Sequence, residues 1–222
     1  MTDSAYTHIV ILADRTGSMG DIADPGSGKT KASLTTTGIH DLIRDQAAQP
    51  GRITFSLVQF DAGSTDRIVS FAAADDPVMT KWHIIPRGGT PLLDAVGTEI
   101  VTTGQELAAM PEAERPGRVY FVIGSDGEEN SSHEYTKDRV AGMITAQREN
   151  YGWEFIFIGA DIDAFAEAGG MGIARGSTLS ANSASMGAAY AVASAGISRS
   201  RAGGQSVSYT DEERKQAGGR PA

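Results

Sequence analysis

The chain of 222 residues contains no cysteine, which excludes disulfide frameworks, thiol catalysis and thiolate metal sites and leaves oxygen ligands or histidine for any metal. Its 19 Lys and Arg against 28 Asp and Glu give a formal net charge of −9, a balance that repels a phosphate backbone and argues against nucleic-acid binding. No apolar run reaches the roughly 20 residues of a membrane span, and Met1 to Thr7 lack the pattern of a secretory signal, so the expectation is a cytoplasmic protein without membrane contact.

His8 to Ala13 (HIVILA) is a continuous apolar run, as expected of a strand covered on both faces. Thr30 to Gln46 places Leu34, Ile39, Leu42 and Ile43 at helical spacing. Ile53 to Phe60 (ITFSLVQF) and Arg67 to Phe71 (RIVSF) read as the second and third strands. The stretch between them, Asp61 to Asp66, is too short for a crossover helix, so the third strand is expected antiparallel to the second and at an edge. Pro91 to Met110 follows as a helix opened by Thr-Pro, then Val119 to Ile123 as a strand. Tyr135 to Asn150 is a helix around Val140, Met143 and Ile144, Glu154 to Ile158 a strand, and Asp161 to Ala168 a short helix closed by Gly169-Gly170.

Beyond Gly176 the composition shifts to Ala, Gly and Ser. There Met186, Tyr190, Ala193 and Ile197 share one helical face, predicting a docked helix over 181–195. Residues 199–222 are expected to be a flexible tail; Thr210 and Glu213 offer a capping box as the lesser reading. This alternation predicts an α/β fold: a Rossmann-like, doubly wound, mostly parallel sheet in strand order 3-2-1-4-5. One edge strand is antiparallel, helices cover both faces, and a single domain spans 1–198.

In an open α/β sheet, ligands bind in the crevice outside the carboxyl ends of the strands. Three loops there carry chemistry. The first, Asp14-Arg15-Thr16-Gly17-Ser18, offers a carboxylate and two hydroxyls at alternating positions. The second, Ser125-Asp126-Gly127, offers another carboxylate, and the third, Gly88-Gly89-Thr90-Pro91, a hydroxyl at a helix start. With the expected strand order the winding reverses between the first strand and the one ending at Gly124. The crevice then opens between Asp14 and Asp126, with the Thr90 loop over it. Hard oxygen donors without His or Cys suit Mg²⁺, with Mn²⁺ and Ca²⁺ as alternatives.

Asp14-x-Thr16-x-Ser18, Thr90 and Asp126 together resemble the Asp-x-Ser-x-Ser…Thr…Asp pattern of the metal-ion-dependent adhesion site (MIDAS) in von Willebrand factor type A (VWA) domains. The stretches ILADRTGSM, IPRGGTPLLDAVG, VIGSDGEENSS and WEFIFIGADIDA resemble a bacterial and bacteriophage branch of that family, over about His8 to at least Ile197. The resemblance implies that Thr16, Ser18 and Thr90 are hydroxyl ligands and that Asp14 and Asp126 hold the ion directly or through water. Thr16 stands where the family has Ser, keeping the hydroxyl and adding a methyl, and Ser125 stands where it often has Thr. The resemblance also implies that a carboxylate from a partner protein completes the coordination. The expected function is therefore a non-enzymatic, divalent-cation-dependent interaction module that binds a partner's Glu or Asp. The alternative is a structural or assembly protein, such as a bacteriophage component, that uses the domain as an oligomerising scaffold and is virion-associated.

Nearby groups have plainer readings. Glu128 and Glu129 either deepen the negative field or lie solvated at a helix start. Asp21 and Asp24 offer at most a second weak cation site, and Asp61 reads as an Asx-turn residue. Gly26 to Thr30 lacks the leading glycine of a phosphate-binding loop, because position 23 is Ala23. An Asp-x-Asp phosphotransferase would want a carboxylate where Thr16 stands. His8, His40, His83 and His133 are scattered without metal-ligand spacing, and no general base is evident beside the site.

Overall fold

The computed structural model describes residues 2–219. Strand β1 (Asp3–Asp14) leads through a 3₁₀ turn, Gly17–Gly20, into a small hairpin of β2 (Ile22–Asp24) and β3 (Lys29–Thr30). Then come α1 (Lys31–Ala47), β4 (Arg52–Asp61), β5 (Ser64–Ala72), α2 (Pro77–Lys81) and α3 (Leu92–Ala109). β6 (Pro116–Ser125), α4 (Lys137–Tyr151), β7 (Glu154–Ala160) and α5 (Ala164–Gly170) follow, and β8 (Thr178–Ala181), α6 (Met186–Gly203) and α7 (Asp211–Gln216) complete the described chain.

The main sheet has the order β5-β4-β1-β6-β7-β8, parallel throughout except for the β4–β5 edge pair. This is the expected 3-2-1-4-5 order with one strand added. The chain is a Rossmann-like α/β fold, and no helix among the described residues is long and apolar enough to cross a membrane.

The apolar runs are continuous because both faces are covered. Ile9, Ile11 and Ala13 point into one core with α1 and α6, while Val10 and Leu12 point into the other with α3, α4 and α5. On β6 the same alternation sends Tyr120 and Val122 one way and Val119, Phe121 and Ile123 the other. The edge strand β5 is only partly buried, in keeping with its place.

Three expectations are corrected at the carboxyl-terminal end. β8 was not foreseen, because Thr178-Leu179-Ser180-Ala181 has one large apolar residue and makes a strand only by pairing with the open edge of β7. The docked helix does not span 181–195: Ala181 is in β8, and a 3₁₀ turn capped by Asn182 intervenes, so α6 starts at Met186. It runs on to Gly203 because its face against α1 continues, with Gln46 Nε2 donating to Ser194 O and Ser198 Oγ at 2.8 and 2.9 Å.

The tail expected over 199–222 is partly structured. α7 opens with the capping box of Thr210 and Glu213, and Val207, Tyr209 and Ala217 enter the core on the α6 side. Arg214, buried, donates to the carbonyls of Tyr209, Arg175 and Gly176. Such single anchors leave no periodic pattern in sequence. Residues 220–222 of that expectation lie outside the described chain.

His8 lies fully buried on β1, between Thr54 Oγ1 at 2.9 Å and Ser56 Oγ at 3.2 Å, with its ring stacked on Phe71. Burial, reinforced by the Arg67 charge, pushes its pKa down to about 3. A histidine held neutral in the fold is protonated more readily when unfolded, so the fold loses stability as the pH falls below about 6.5 towards 3. His8→Asn is expected to reduce that slope by about one proton, or roughly 1.4 kcal/mol per pH unit, in urea melts between pH 6 and 4. Parallel pH dependences for the two proteins would contradict it.

Candidate metal centre

The register between β1 and β6 builds the site. Ala13 pairs with Gly124, so Asp14 and Ser125 leave the sheet side by side, and Ser125 Oγ donates to Asp14 Oδ2 at 2.6 Å. The chain then turns, and the Thr16 amide donates to Asp14 Oδ1 at 2.7 Å. Thr16 Oγ1 and Ser18 Oγ are 3.2 Å apart, and Ser18 Oγ donates to Asp126 Oδ1 at 2.9 Å. Four of the five expected ligand residues thus lie in two linked hydrogen-bonded groups at the strand-order switch. Asp14, Thr16 and Asp126 are buried, and Ser18 is half-buried.

Thr90 enters from the third loop. A Cβ at Gly127 would lie 2.7 Å from Thr90 Oγ1, so glycine there lets the buried Thr90 side chain sit against the residue next to Asp126. Asn130 fastens this approach: its Oδ1 accepts from the Thr90 amide at 3.0 Å, and its own amide donates to Thr90 O at 3.2 Å. The Thr90 hydroxyl is not spent as a helix cap, because the N-cap of α3 is Pro91. Glu129 Oε2 and Ser132 Oγ take the free amides of Leu93 and Asp94 instead.

Lys31, the first residue of α1, completes the cluster. Its ammonium donates to Asp126 Oδ2 at 2.9 Å and lies 3.9 Å from both Asp21 and Asp161. Burial opposes its charge, but the hydrogen bond and charge of Asp126, with Asp161 and Asp21, outweigh it and raise the Lys31 pKa. Asp14 is pushed up to about 6, mainly by burial; the Ser125 and Thr16 hydrogen bonds pull it down, and the Asp126 charge adds to the rise.

The loops are braced from the side. Arg15, buried, donates to Asp61 at 2.5 Å, Asp66 at 2.6 Å and Ser64 at 2.8 Å, and Arg87 donates to Asp61 at 2.8 Å. Backbone bonds run Gly17 to Gly88 O, Arg87 to Arg15 O and Ala62 to Gly89 O. Asp61 makes the expected Asx turn with the Gly63 amide, and it also joins two loops through the arginines. Burial raises its pKa, but Arg87, the Gly63 amide and Arg15 outweigh that and hold it below the usual carboxylate range.

The remaining acidic candidates stand apart. Asp24 closes its own turn with Gly26 and Ser27, Glu128 is exposed, and Glu129 orders the 129–132 loop and the start of α3. Among the described residues no three His, Cys, Asp or Glu side chains converge as a metal cluster. The set at the strand ends is instead two carboxylates with three hydroxyls, a chemistry that fits a hard divalent ion. An ammonium already standing on Asp126 shows that this position attracts positive charge.

No protein-family model and no curated protein matches the sequence. Solved structures do match. Proximal thread matrix protein 1 from the mussel byssus aligns with a TM-score of 0.63 and 14% identity, over 84% of this chain and 46% of that one. The vWF domain of the type V pili tip protein Mfa5 from Porphyromonas gingivalis aligns with a TM-score of 0.58 and 13% identity, over 92% of this chain and 98% of that domain. The fold is that of a von Willebrand factor type A domain. The PilB minor pilin from Streptococcus sanguinis also aligns, with a TM-score of 0.61 and 16% identity, over 87% of this chain and 61% of that one. Another structure of the mussel protein, at a TM-score of 0.62 and 13% identity over 84% and 46%, has a zinc-occupied MIDAS motif. The chain spans about half the length of the thread matrix protein chains it matches.

Sequence reasoning missed the parts of this candidate site that other elements supply. Lys31 is 95 positions from Asp126, and no local signal joins them. Ser125 is adjacent to a candidate ligand, yet its bond to Asp14 exists only through strand register. Tyr190 of α6 lies under the site, its hydroxyl buried and aimed at Gly124, where a Cβ would collide with it. Gly124→Ala is therefore expected to destabilise the fold by about 1–3 kcal/mol through overpacking. Adding Tyr190→Phe should recover part of that loss in denaturant melts; no recovery would place the strain elsewhere.

Proposed function

We propose that Asp14, Thr16, Ser18, Thr90 and Asp126 hold one divalent cation, Mg²⁺ first and Mn²⁺ or Ca²⁺ as alternatives, and that the chain is a non-enzymatic, cation-dependent protein-interaction module. The observation that carries this reading is the convergence of Asp14, bonded by the Thr16 amide, and Asp126, bonded by the Ser18 hydroxyl, with the Thr16 hydroxyl beside Ser18 at the β1–β6 switch point, against which the Thr90 loop is fastened. Two carboxylates balance the charge of a divalent ion, and neutral hydroxyls leave it electrophilic towards a further anionic ligand. When bound, the ion would supply a Lewis-acidic point for an acidic side chain of a partner protein. The protein's own contribution is to hold the donors in place, through the Arg15–Asp61–Arg87 brace and the Asn130 clamp on Thr90.

The rim supports a protein partner. Ile22 and Ile85 are among the few large apolar side chains that are well exposed, and they stand on the segments flanking the site, where Gly20 lies against Pro86. An apolar rim around a polar anchor suits a partner surface with one acidic residue at its centre. The zinc-occupied MIDAS motif of the mussel matrix protein lends support by likeness of fold.

At about 100 times its Kd, Mg²⁺ should add about 2.7 kcal/mol to stability. For a chain of this size that raises the melting temperature by about 5–10 °C over the EDTA-treated protein. Asp14→Ala should lose the shift. Equal melting temperatures in EDTA and Mg²⁺ for the wild type would sink the metal site, while partner capture that persists in Thr90→Ala would remove the ion from recognition.

A further inference from the structure

The lysine on Asp126 has a placement that the ligand set does not require. Lys31 opens α1, its amide is tied to Asp21 O at 3.0 Å, and its side chain lies along the site, 13% exposed. The ammonium bonds one oxygen of Asp126 at 2.9 Å while Ser18 holds the other at 2.9 Å. Both oxygens of a proposed metal-binding carboxylate are therefore already engaged. Within 3.9 Å of the same ammonium stand two further carboxylates, Asp161 and Asp21, each much more exposed than Asp126. Asp161 is itself held in place: its carboxylate accepts from the Ser183 amide and hydroxyl, and its backbone adopts a left-handed φ of 59°.

We infer that Lys31 is a tethered internal cation that occupies Asp126 in competition with the divalent ion and passes to Asp161 and Asp21 when the ion binds. The inference rests on the metal-site reading above and adds a regulator of its affinity. A lysine suits the role because it is a compact charge on a four-carbon stem that can swing, whereas the planar fork of arginine bonds in one fixed geometry. The ammonium also shields Asp126 from Asp14 without an ion, so the ion-free fold is spared the repulsion of two buried carboxylates. Metal binding must then displace a neutralising charge, which weakens affinity and makes occupancy sensitive to cation concentration.

The test is calorimetric titration with Mg²⁺ and with Mn²⁺, together with melting curves in EDTA and in saturating Mg²⁺. It compares the wild type, Lys31→Met, Lys31→Arg and Asp14→Asn. Lys31→Met should bind Mg²⁺ at least tenfold more tightly, melt below the wild type in EDTA, and show a larger rise with Mg²⁺. Lys31→Arg, which keeps the charge, should stay nearer the wild type in affinity. A Lys31→Met protein that binds Mg²⁺ no more tightly than an Asp14→Asn-sensitive wild type would overturn the inference and leave the site standing. Absence of Mg²⁺ and Mn²⁺ binding in wild type and Lys31→Met alike would overturn the site and the inference with it.

Discussion

Two aspartates at the ends of neighbouring parallel strands repel each other, and the structure around them is arranged to bear that repulsion. Asp14 ends β1 and Asp126 follows β6, brought together by a register in which Ala13 faces Gly124. Four groups donate hydrogen bonds to the two carboxylates, and one of them brings a positive charge. Ser125 and the Thr16 amide serve Asp14, and Ser18 and Lys31 serve Asp126. Burial still leaves Asp14 with a pKa near 6, the mark of a carboxylate whose charged form is under-solvated. A divalent ion is the species that would relieve this most directly.

The same constraint accounts for the bracing beside the site. Loops at strand ends are ordinarily the mobile part of an α/β fold. Here the first loop and the one before α3 are joined by the buried Arg15–Asp61 pair, by Arg87 and by backbone bonds that cross between them. Ion pairs of this kind add little net stability, since desolvation offsets their attraction, but they fix geometry. They hold Thr16 and Ser18 on one side and Thr90 on the other, as a site built from three separate loops requires. Glu129 acts alike on the far side, ordering 129–132 and the start of α3 so that the Thr90 hydroxyl is not consumed as a cap.

Beneath the candidate site, α6 connects the core to the carboxyl ends of the strands. Gln46 links it to α1, and Tyr190 fills the space under Gly124. The floor of the site is thus packed side chain, and its position depends on how the last long helix docks. That helix lies in the part of the chain with the weakest sequence signal.

What the sequence determined by itself was the local and periodic content. Apolar runs marked five of the six strands of the main sheet, the four inner ones most clearly because a strand covered on both faces has no polar side to interrupt it. The short 61–66 connection set the antiparallel edge, and the spacing of Asp14, Thr16 and Ser18, with Thr90 and Asp126, marked the loops of the site. Tertiary structure alone decided β8, the limits of α6 and the docking of 207–217, since each depends on one or two anchors such as Leu179, Tyr209 or Arg214 meeting a surface made elsewhere. It also decided the contacts of the site: Ser125 on Asp14, Lys31 on Asp126, and Thr90 against Gly127. The physical reason is the same in each case. Strand propensity and ligand chemistry reside in a few neighbouring residues, whereas a hydrogen bond across 95 or 111 positions exists only once register and helix docking have brought its ends together.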